Sequence, residues 1–164
     1  MIEIVSGVSG SGKTTYLCKL IEEDSLGFIT PALFEGKKKT AISYRLLPQA
    51  DLYLFACEAG DSEKDQCTGL HWQIDPAAIC QINDYMDMLE GRADLAGRKV
   101  FVDELGPLEL RNGQGLQSAL AFCKKHAADA DLQLEVVIRP SLVDSFIAYL
   151  GLSDKSDNIS YVNL

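Results

Sequence analysis

A lysine and a threonine follow a glycine-rich run near the start of the sequence. Residues 7–14 read Gly-Val-Ser-Gly-Ser-Gly-Lys-Thr, which matches the pattern G-x-x-x-x-G-K-[S/T] in full. Gly7 and Gly12 allow backbone angles that a side chain would forbid, so successive N–H groups can turn inward and surround phosphate oxygens. The positively charged Lys13 side chain would contact the β- and γ-phosphates, and the Thr14 hydroxyl would ligate the Mg²⁺ that these phosphates bind. The spacing therefore predicts a binding site for a nucleoside triphosphate, with Mg²⁺ as cofactor.

The segments on either side of the glycine-rich run support this interpretation. Ile2 to Val5 is a short apolar, β-branched run, which is typical of a buried strand. After the loop, a helix is indicated by apolar residues at helical spacing, and its positive end would face the anion. These residues are Tyr16, Leu17, Leu20 and Ile21. The predicted contacts to the triphosphate are Gly7, Val8, Ser9, Gly10, Ser11, Gly12, Lys13, Thr14 and Thr15.

Two adjacent acids follow an apolar run in the middle of the chain. Asp103 and Glu104 come directly after Val100-Phe101-Val102, which is predicted to be a strand. Asp103 would orient the water ligands of Mg²⁺, and Glu104 would hold and polarise the water that attacks the γ-phosphate. The alternative is a pair of solvated carboxylates in a turn. Gly106 and Pro107 predict a tight turn directly after the acids.

Three further positions have both a functional and a structural interpretation. Arg139 follows a predicted strand over 132–138, whose end would lie along the nucleotide crevice. It could neutralise charge as the γ-phosphate is cleaved, in the way of an arginine finger, or form a structural ion pair. Trp72, next to His71, could stack on a nucleobase, or it could pack in a strand or core. Glu109 could face the site, but solvent exposure is the preferred interpretation.

Composition limits the class of protein. The chain has 164 residues, of which 47% are apolar, so we expect one domain over residues 1–164 with a sizeable core. The net charge of −9 would repel a nucleic-acid backbone, so a nucleic-acid partner is not expected. The basic run Lys37-Lys38-Lys39 is interpreted as a solvated loop after Gly36. No apolar run reaches the length of a membrane span, and a strand that begins at residue 2 leaves no room for a signal peptide.

The cysteines indicate a cytoplasmic location. Five are present, an odd number without a C-x-x-C pair, which is typical of reduced thiols and not of a disulfide framework or a zinc site. Cys18 and Cys123 fall in helical patterns and are predicted to face the core. Cys57 and Cys67 flank an acidic stretch, where a redox or metal role is the less favoured alternative.

The order of elements predicts an α/β fold. Strands over 2–5, 99–102, 132–138 and 159–164 alternate with helices, which favours a mostly parallel sheet with helices on both faces. Strand-like runs over 27–34, 40–47 and 51–57 indicate an antiparallel flank, followed by a polar loop over 58–69. Three later helices are predicted. They begin at the N-cap Asp75 with Pro76, at Leu116, and at the N-cap Ser141, and they end at Gly91, His126 and Gly151.

Taken together, these motifs resemble the small nucleoside-triphosphatase family first described from thermophiles, which has cancer-related relatives in animals. The resemblance covers nearly the whole chain. It rests on Gly7 to Thr15, on Gly27-Phe28-Ile29-Thr30 and on Ile138-Arg139-Pro140, which is similar to a segment of bacterial members. Its core is the run from Asp103 to Leu110, which is similar to the family's Asp-Glu-Ile-Gly-x-Met-Glu-Leu.

The resemblance implies a RecA-like P-loop fold, a three-layer sandwich, and slow Mg²⁺-dependent hydrolysis of ATP, GTP and other nucleoside triphosphates. The chain departs from the family pattern in two places, and the second would change the rate or substrate choice if the family's residue there contacts the nucleotide. Pro31 and Ala32 stand where many relatives have acids, and Pro107 replaces a lysine common in others.

Two other functions stay open at this point. A small nucleoside or nucleotide kinase would need a second pocket for its acceptor, and the acidic loop over 58–69 does not favour an acceptor that carries phosphate. A nucleotide-dependent switch or adaptor would have the same motifs with little intrinsic turnover. A protein partner or self-association is left open by the sequence.

Overall fold

The computed structural model describes residues 1–58, 72–153 and 158–164. The elements in this part of the chain are, in order, β1 (Ile2–Ser6), α1 (Lys13–Leu20), β2 (Leu26–Ile29), β3 (Ala32–Glu35), β4 (Lys38–Leu47), β5 (Tyr53–Glu58), β6 (Trp72–Ile74), α2 (Pro76–Glu90), β7 (Lys99–Leu105), α3 (Pro107–Leu110), α4 (Gln117–His126), β8 (Gln133–Ile138), a 3₁₀ turn (Pro140–Leu142), α5 (Val143–Leu150) and β9 (Ile159–Asn163). The strands form one sheet in the order β6-β5-β4-β2-β7-β8-β1-β9, and β3 pairs with β4 outside this path.

The parallel half of the sheet consists of β2, β7, β8, β1 and β9. Its central strands are near-continuous apolar runs because helices cover both faces. On one face, Leu17 of α1 packs in a cluster with Val5, Phe101 and Val137. On the other face, α2, α4 and α5 pack over the larger core. The predicted α/β class, with helices on both faces of the sheet, is confirmed.

The antiparallel flank consists of β3, β4, β5 and β6, and β4 joins it to β2. The prediction of one strand over 27–34 was wrong, because the chain leaves the sheet between β2 and β3. Pro31 lies at this break and has no N–H to donate to a neighbouring strand. The N–H of Thr30 donates to the side chain of Asp103 instead. The break therefore turns the end of β2 toward a predicted site residue.

The basic run after Gly36 is only partly a loop. The turn comprises Gly36 and Lys37, and β4 begins at Lys38, two residues earlier than predicted. Successive side chains of a strand point to opposite faces. Lys38 pairs with Glu58 in solvent, whereas Lys39 is half-buried with its Nζ 4.7 Å from the centre of the Trp72 ring. The prediction of a solvated loop was therefore wrong for Lys39.

The helix signals were mostly correct. Asp75 caps α2 by accepting a hydrogen bond from the N–H of Ala77 at 2.9 Å, as predicted. Ser141 does not cap α5, because it lies inside the 3₁₀ turn that precedes this helix. Cys123 is buried as predicted, but Cys18 is exposed, so that prediction was wrong.

Several predictions fall outside the described residues. These are the roles of Cys67 and His71 and most of the polar loop over 58–69. β6, which follows this gap, was not predicted. None of the helices in the described ranges is long and apolar enough to cross a membrane.

Candidate active site

The glycine-rich loop connects β1 to α1 at the carboxyl edge of the parallel strands. Gly10 and Gly12 have φ of +83° and +94°, in the left-handed region that favours glycine. Gly7 is not in this region, so the predicted reason for glycine at this position was wrong. A Cβ on Gly7 would lie 2.5 Å from the Leu164 carbonyl oxygen and 2.6 Å from Ser11 Oγ. Glycine is required at position 7 because these two oxygen atoms leave no space for a side chain.

Lys13 lies buried inside the loop. Its Nζ donates to the carbonyl oxygens of Gly7 and Val8, both at 2.9 Å. The buried hydroxyls of Ser6 and Ser11 have no hydrogen-bond partner among the described residues. A buried polar atom without a partner is costly unless a ligand satisfies it. The loop therefore combines a fixed charge with polar groups that a phosphate could contact.

Asp103, in β7, lies close to both the phosphate loop and the end of β2. It lies within β7, not after it as the sequence suggested, and it is almost fully buried. Its Oδ2 accepts from the Thr30 N–H at 3.0 Å. Burial raises the pKa of Asp103 to about 6, and hydrogen bonds from the Thr30 N–H and the Thr14 hydroxyl act in the opposite direction. Thr14 and Asp103, which are far apart in the sequence, thus lie close enough for the Thr14 hydroxyl to affect the Asp103 carboxyl group.

The oxygen atoms of Thr14 and Asp103 suit Mg²⁺. A hydroxyl and a carboxylate are hard oxygen ligands, which Mg²⁺ prefers to nitrogen or sulfur. Within the described ranges, no group of three or more His, Cys, Asp or Glu residues could hold a metal ion. Mg²⁺ in nucleotide sites takes one or two protein ligands and completes its coordination with phosphates and water. Thr14 and Asp103 therefore fit an ion that arrives with the triphosphate.

Glu104 and Arg139 form an ion pair at the same edge of the sheet. The Nε of Arg139 donates to Oε1 of Glu104 at 2.7 Å. Arg139 follows β8, the neighbour of β7, and the side chain of Glu104 is 32% exposed. The peptide bond that joins Asp103 and Glu104 is cis. The ion pair that the sequence offered as one alternative for Arg139 is present, and its partner is itself a predicted site residue.

Lys39 is a candidate site residue that sequence reasoning missed. Burial is the main reason that its pKa is lowered, and the charges of Glu104, Arg139, Asp103 and Lys13 also act on it. Its ammonium group is therefore within electrostatic range of these residues, although it projects from the flank. Its alternation with Lys38 along β4 is the signal that could have identified it, but only if the start of the strand had been predicted correctly.

Glu109 was predicted to face solvent, and this was wrong. Its side chain is buried, with Oε2 accepting from the Gly106 N–H at 2.8 Å and Oε1 from the Leu116 N–H at 2.9 Å. Pro107 opens the short helix α3, and Glu109 is the third residue of that helix. Glu at this position often hydrogen-bonds back to the residue before the helix. The spacing from Gly106 to Glu109 is therefore a signal that sequence reasoning could have used.

A pocket of about 110 Å³ opens beside the ion pair. Its polar lining comes from Thr30, Glu104, Glu109 and Arg139, and the rest is mostly apolar and aromatic. Trp72, from β6, lies in its wall. The pocket lies between the parallel half and the antiparallel flank, next to the acids of β7.

Two solved structures are similar to this chain over nearly its whole length. The crystal structure of THEP1 from the hyperthermophile Aquifex aeolicus has a TM-score of 0.69 and 16% sequence identity, with 100% of this chain and 90% of that chain covered. The solution structure of a human cancer-related nucleoside triphosphatase has a TM-score of 0.63 and 15% identity, with 98% and 87% covered. No protein-family model and no curated protein matches the sequence.

These likenesses show that the chain has the α/β, RecA-like P-loop fold of the two proteins. The fold implied by the sequence resemblance is therefore confirmed. One of the two proteins comes from a hyperthermophile and the other is a human cancer-related protein, as in the family that the sequence resembles. The name nucleoside triphosphatase describes the human protein.

Proposed function

We propose that this protein is a Mg²⁺-dependent nucleoside triphosphatase that hydrolyses ATP, GTP and other nucleoside triphosphates to the diphosphate and phosphate. The observation that carries the proposal is the position of the buried Asp103, which is held by the Thr30 N–H at 3.0 Å and lies close to Thr14 of the phosphate loop. It joins the two motifs that a P-loop enzyme needs for its metal–nucleotide complex. The likeness to a human nucleoside triphosphatase supports the proposal, and we infer membership of the same family.

The residues of the loop would bind the triphosphate. Backbone N–H groups of residues 8–14 would surround the phosphates, and Lys13 would contact the β- and γ-phosphates. Thr14 and Asp103 would hold Mg²⁺, which supplies charge stabilisation at the transferring phosphoryl group when bound.

Glu104 would accept a proton from the attacking water. As the water oxygen bonds to the γ-phosphorus, the bond to the β–γ bridging oxygen breaks, and the diphosphate leaves with the electron pair. Arg139 would orient the Glu104 carboxylate through their ion pair and would also lie near the charge that develops on the phosphoryl group.

We also propose that the protein is located in the cytoplasm, because its described cysteines are free.

The test is phosphate release from ATP, GTP, CTP and UTP with Mg²⁺, for the wild type and for Glu104→Gln. We expect release from several triphosphates, and a fall of about a hundredfold or more in kcat for the variant, because the amide cannot accept the proton. Nucleotide affinity should be retained. Glu58→Gln, an exposed change on β5, is the matched control and should have the wild-type rate.

Unchanged turnover in Glu104→Gln would remove Glu104 from this role. Intact ATP binding with no release from any of the four triphosphates would overturn the hydrolase proposal.

A further inference from the structure

The pocket beside Glu104 has an apolar wall to which several elements contribute. This wall comes from Ile42 of β4, Phe55 of β5, Trp72 and Ile74 of β6, and Leu116 before α4. Glu104 and Arg139 lie on the side of the pocket toward the parallel strands, and Thr30, whose N–H donates to Asp103, lies there too. The group proposed to activate the nucleophile therefore borders both the phosphate site and the pocket.

The pocket is larger than hydrolysis requires. A single water needs a cavity of only about 10–15 Å³ on the same kind of measure, whereas the pocket holds about 110 Å³. An apolar cavity of about 150 Å³ is enough to take up benzene. The pocket is smaller than that cavity but of the same order of size, and two aromatic side chains, Phe55 and Trp72, lie in its wall.

The charges of the pocket select against a phosphate-bearing occupant. Among the lining residues within 1–58, 72–153 and 158–164, Arg139 is the one cation, and it is paired with Glu104. Glu109 adds a second carboxylate, held by two backbone N–H groups. Lys39 lies against the Trp72 ring. Within the described part of the lining, a phosphate group would meet two carboxylates and no unpaired cation, so an uncharged occupant is favoured.

We propose that this pocket, which we call the acceptor pocket, takes an uncharged alcohol with one planar ring system, such as a nucleoside, as a phosphoryl acceptor. This inference rests on the nucleotide site of the proposed function, because it uses the same bound triphosphate and the same Glu104, but it does not require hydrolysis.

The transfer step differs from hydrolysis only in its nucleophile. The acceptor hydroxyl gives its proton to Glu104, its oxygen bonds to the γ-phosphorus, and the bond to the β–γ bridging oxygen breaks. The products are a phosphate monoester and the nucleoside diphosphate, which leaves with the electron pair. Water takes the place of the hydroxyl when the acceptor pocket holds no alcohol.

Trp72 is the only tryptophan of the chain and lies in the pocket wall, so its emission reports occupancy directly. The experiment titrates thymidine, uridine, adenosine and guanosine into the full chain, first alone and then with Mg²⁺ and a non-hydrolysable ATP analogue. We expect a saturable change in emission with at least one nucleoside, retained in the presence of the analogue. No change with any nucleoside would overturn the proposal. Displacement of the nucleoside by the analogue would also overturn it, because the base of the triphosphate would then occupy the pocket.

A pair of matched variants tests whether the pocket itself is the binding site. Ile42→Phe places a larger side chain in the half-buried wall, and we expect nucleoside affinity to fall about tenfold or more because the space is reduced. Leu33→Phe makes the same kind of change at an exposed position of neighbouring β3 and should leave nucleoside affinity unchanged. Calorimetric binding of the ATP analogue checks that both variants are folded. Equal nucleoside affinity in the two variants would contradict binding in this pocket.

Product analysis separates this inference from the proposed function. ATP labelled on the γ-phosphate is incubated with and without each nucleoside, and free phosphate and nucleoside monophosphate are measured separately. Labelled nucleoside monophosphate supports the acceptor role. Phosphate release without any such product overturns the acceptor role and leaves the triphosphatase standing. The remaining outcome is labelled nucleoside monophosphate when a nucleoside is present and no phosphate release when it is absent. This outcome supports the acceptor role and overturns the hydrolase.

Discussion

The parallel half of the sheet and the antiparallel flank contribute differently to the edge where they meet. The parallel half supplies Lys13 and Thr14 from the start of α1 and Asp103 and Glu104 from β7, and both segments have specific local patterns. The flank supplies Lys39 and most of the apolar wall of the acceptor pocket, from strands that carry no sequence motif. In the proposals made above, the phosphate chemistry would belong to the more buried part of the sheet, and the selection of a second molecule would depend on the part that is more exposed.

The largest effect should come from the phosphate loop itself. Lys13→Ala removes the buried ammonium, and we expect nucleotide affinity and turnover to fall together, turnover by about a hundredfold or more. Calorimetry with ATP and a phosphate-release assay measure the two effects. Lys19→Ala, an exposed change on the same helix, is the control and should resemble the wild type. Normal ATP affinity in Lys13→Ala would mean that the loop does not bind the triphosphate.

A smaller effect is expected from the flank. Lys39→Ala removes a cation that is in electrostatic range of Glu104 and Asp103, and we expect kcat to fall about tenfold, or about 1.4 kcal/mol. Lys38→Ala removes only an exposed ion pair with Glu58 and should have little effect on the rate. Steady-state phosphate release compares the two variants. If both lose the same activity, the flank acts through its fold and not through the charge of Lys39.

The smallest effect concerns stability inside the parallel half. Glu135 is buried on β8 directly opposite Glu3 on the parallel neighbour β1. Burial, with the charge and hydrogen bond of Glu3, raises the pKa of Glu135 from its ordinary value of 4.5 to about 7. The folded state therefore keeps a proton that the unfolded state has lost between these pH values. The free energy of unfolding should fall as the pH rises through this window, and the loss is complete above it.

Glu135→Gln should remove this pH dependence. Relative to the wild type, we expect the variant to gain several degrees in Tm at pH 8, where the loss is complete, and little at pH 5. Thermal unfolding followed by circular dichroism at the two pH values measures the difference. Glu23→Gln, at an exposed position, should change Tm equally little at both. The same gain at pH 5 and pH 8 would show that packing, not proton uptake, sets the effect.

Sequence reasoning succeeded where the signal is local. The glycine-rich loop, the apolar run before Asp103 and the cap of α2 each depend on a few consecutive residues, and the structure has each of them. It failed where the outcome depends on distant contacts. Pro31 breaks a predicted strand, and Glu109 turns inward because Gly106 and Leu116 offer it two N–H donors.

By itself, the sequence determined the phosphate loop, the α/β alternation and the acids that follow the strand run from Val100 to Val102, because backbone freedom and hydrophobic periodicity act over short segments. Only the tertiary structure decided that Arg139 pairs with Glu104, that Lys39 faces the same edge, and that Phe55 and Trp72 enclose a pocket there. The physical reason is that these contacts follow from strand order and from which face each side chain occupies, and a shift of one residue reverses that face.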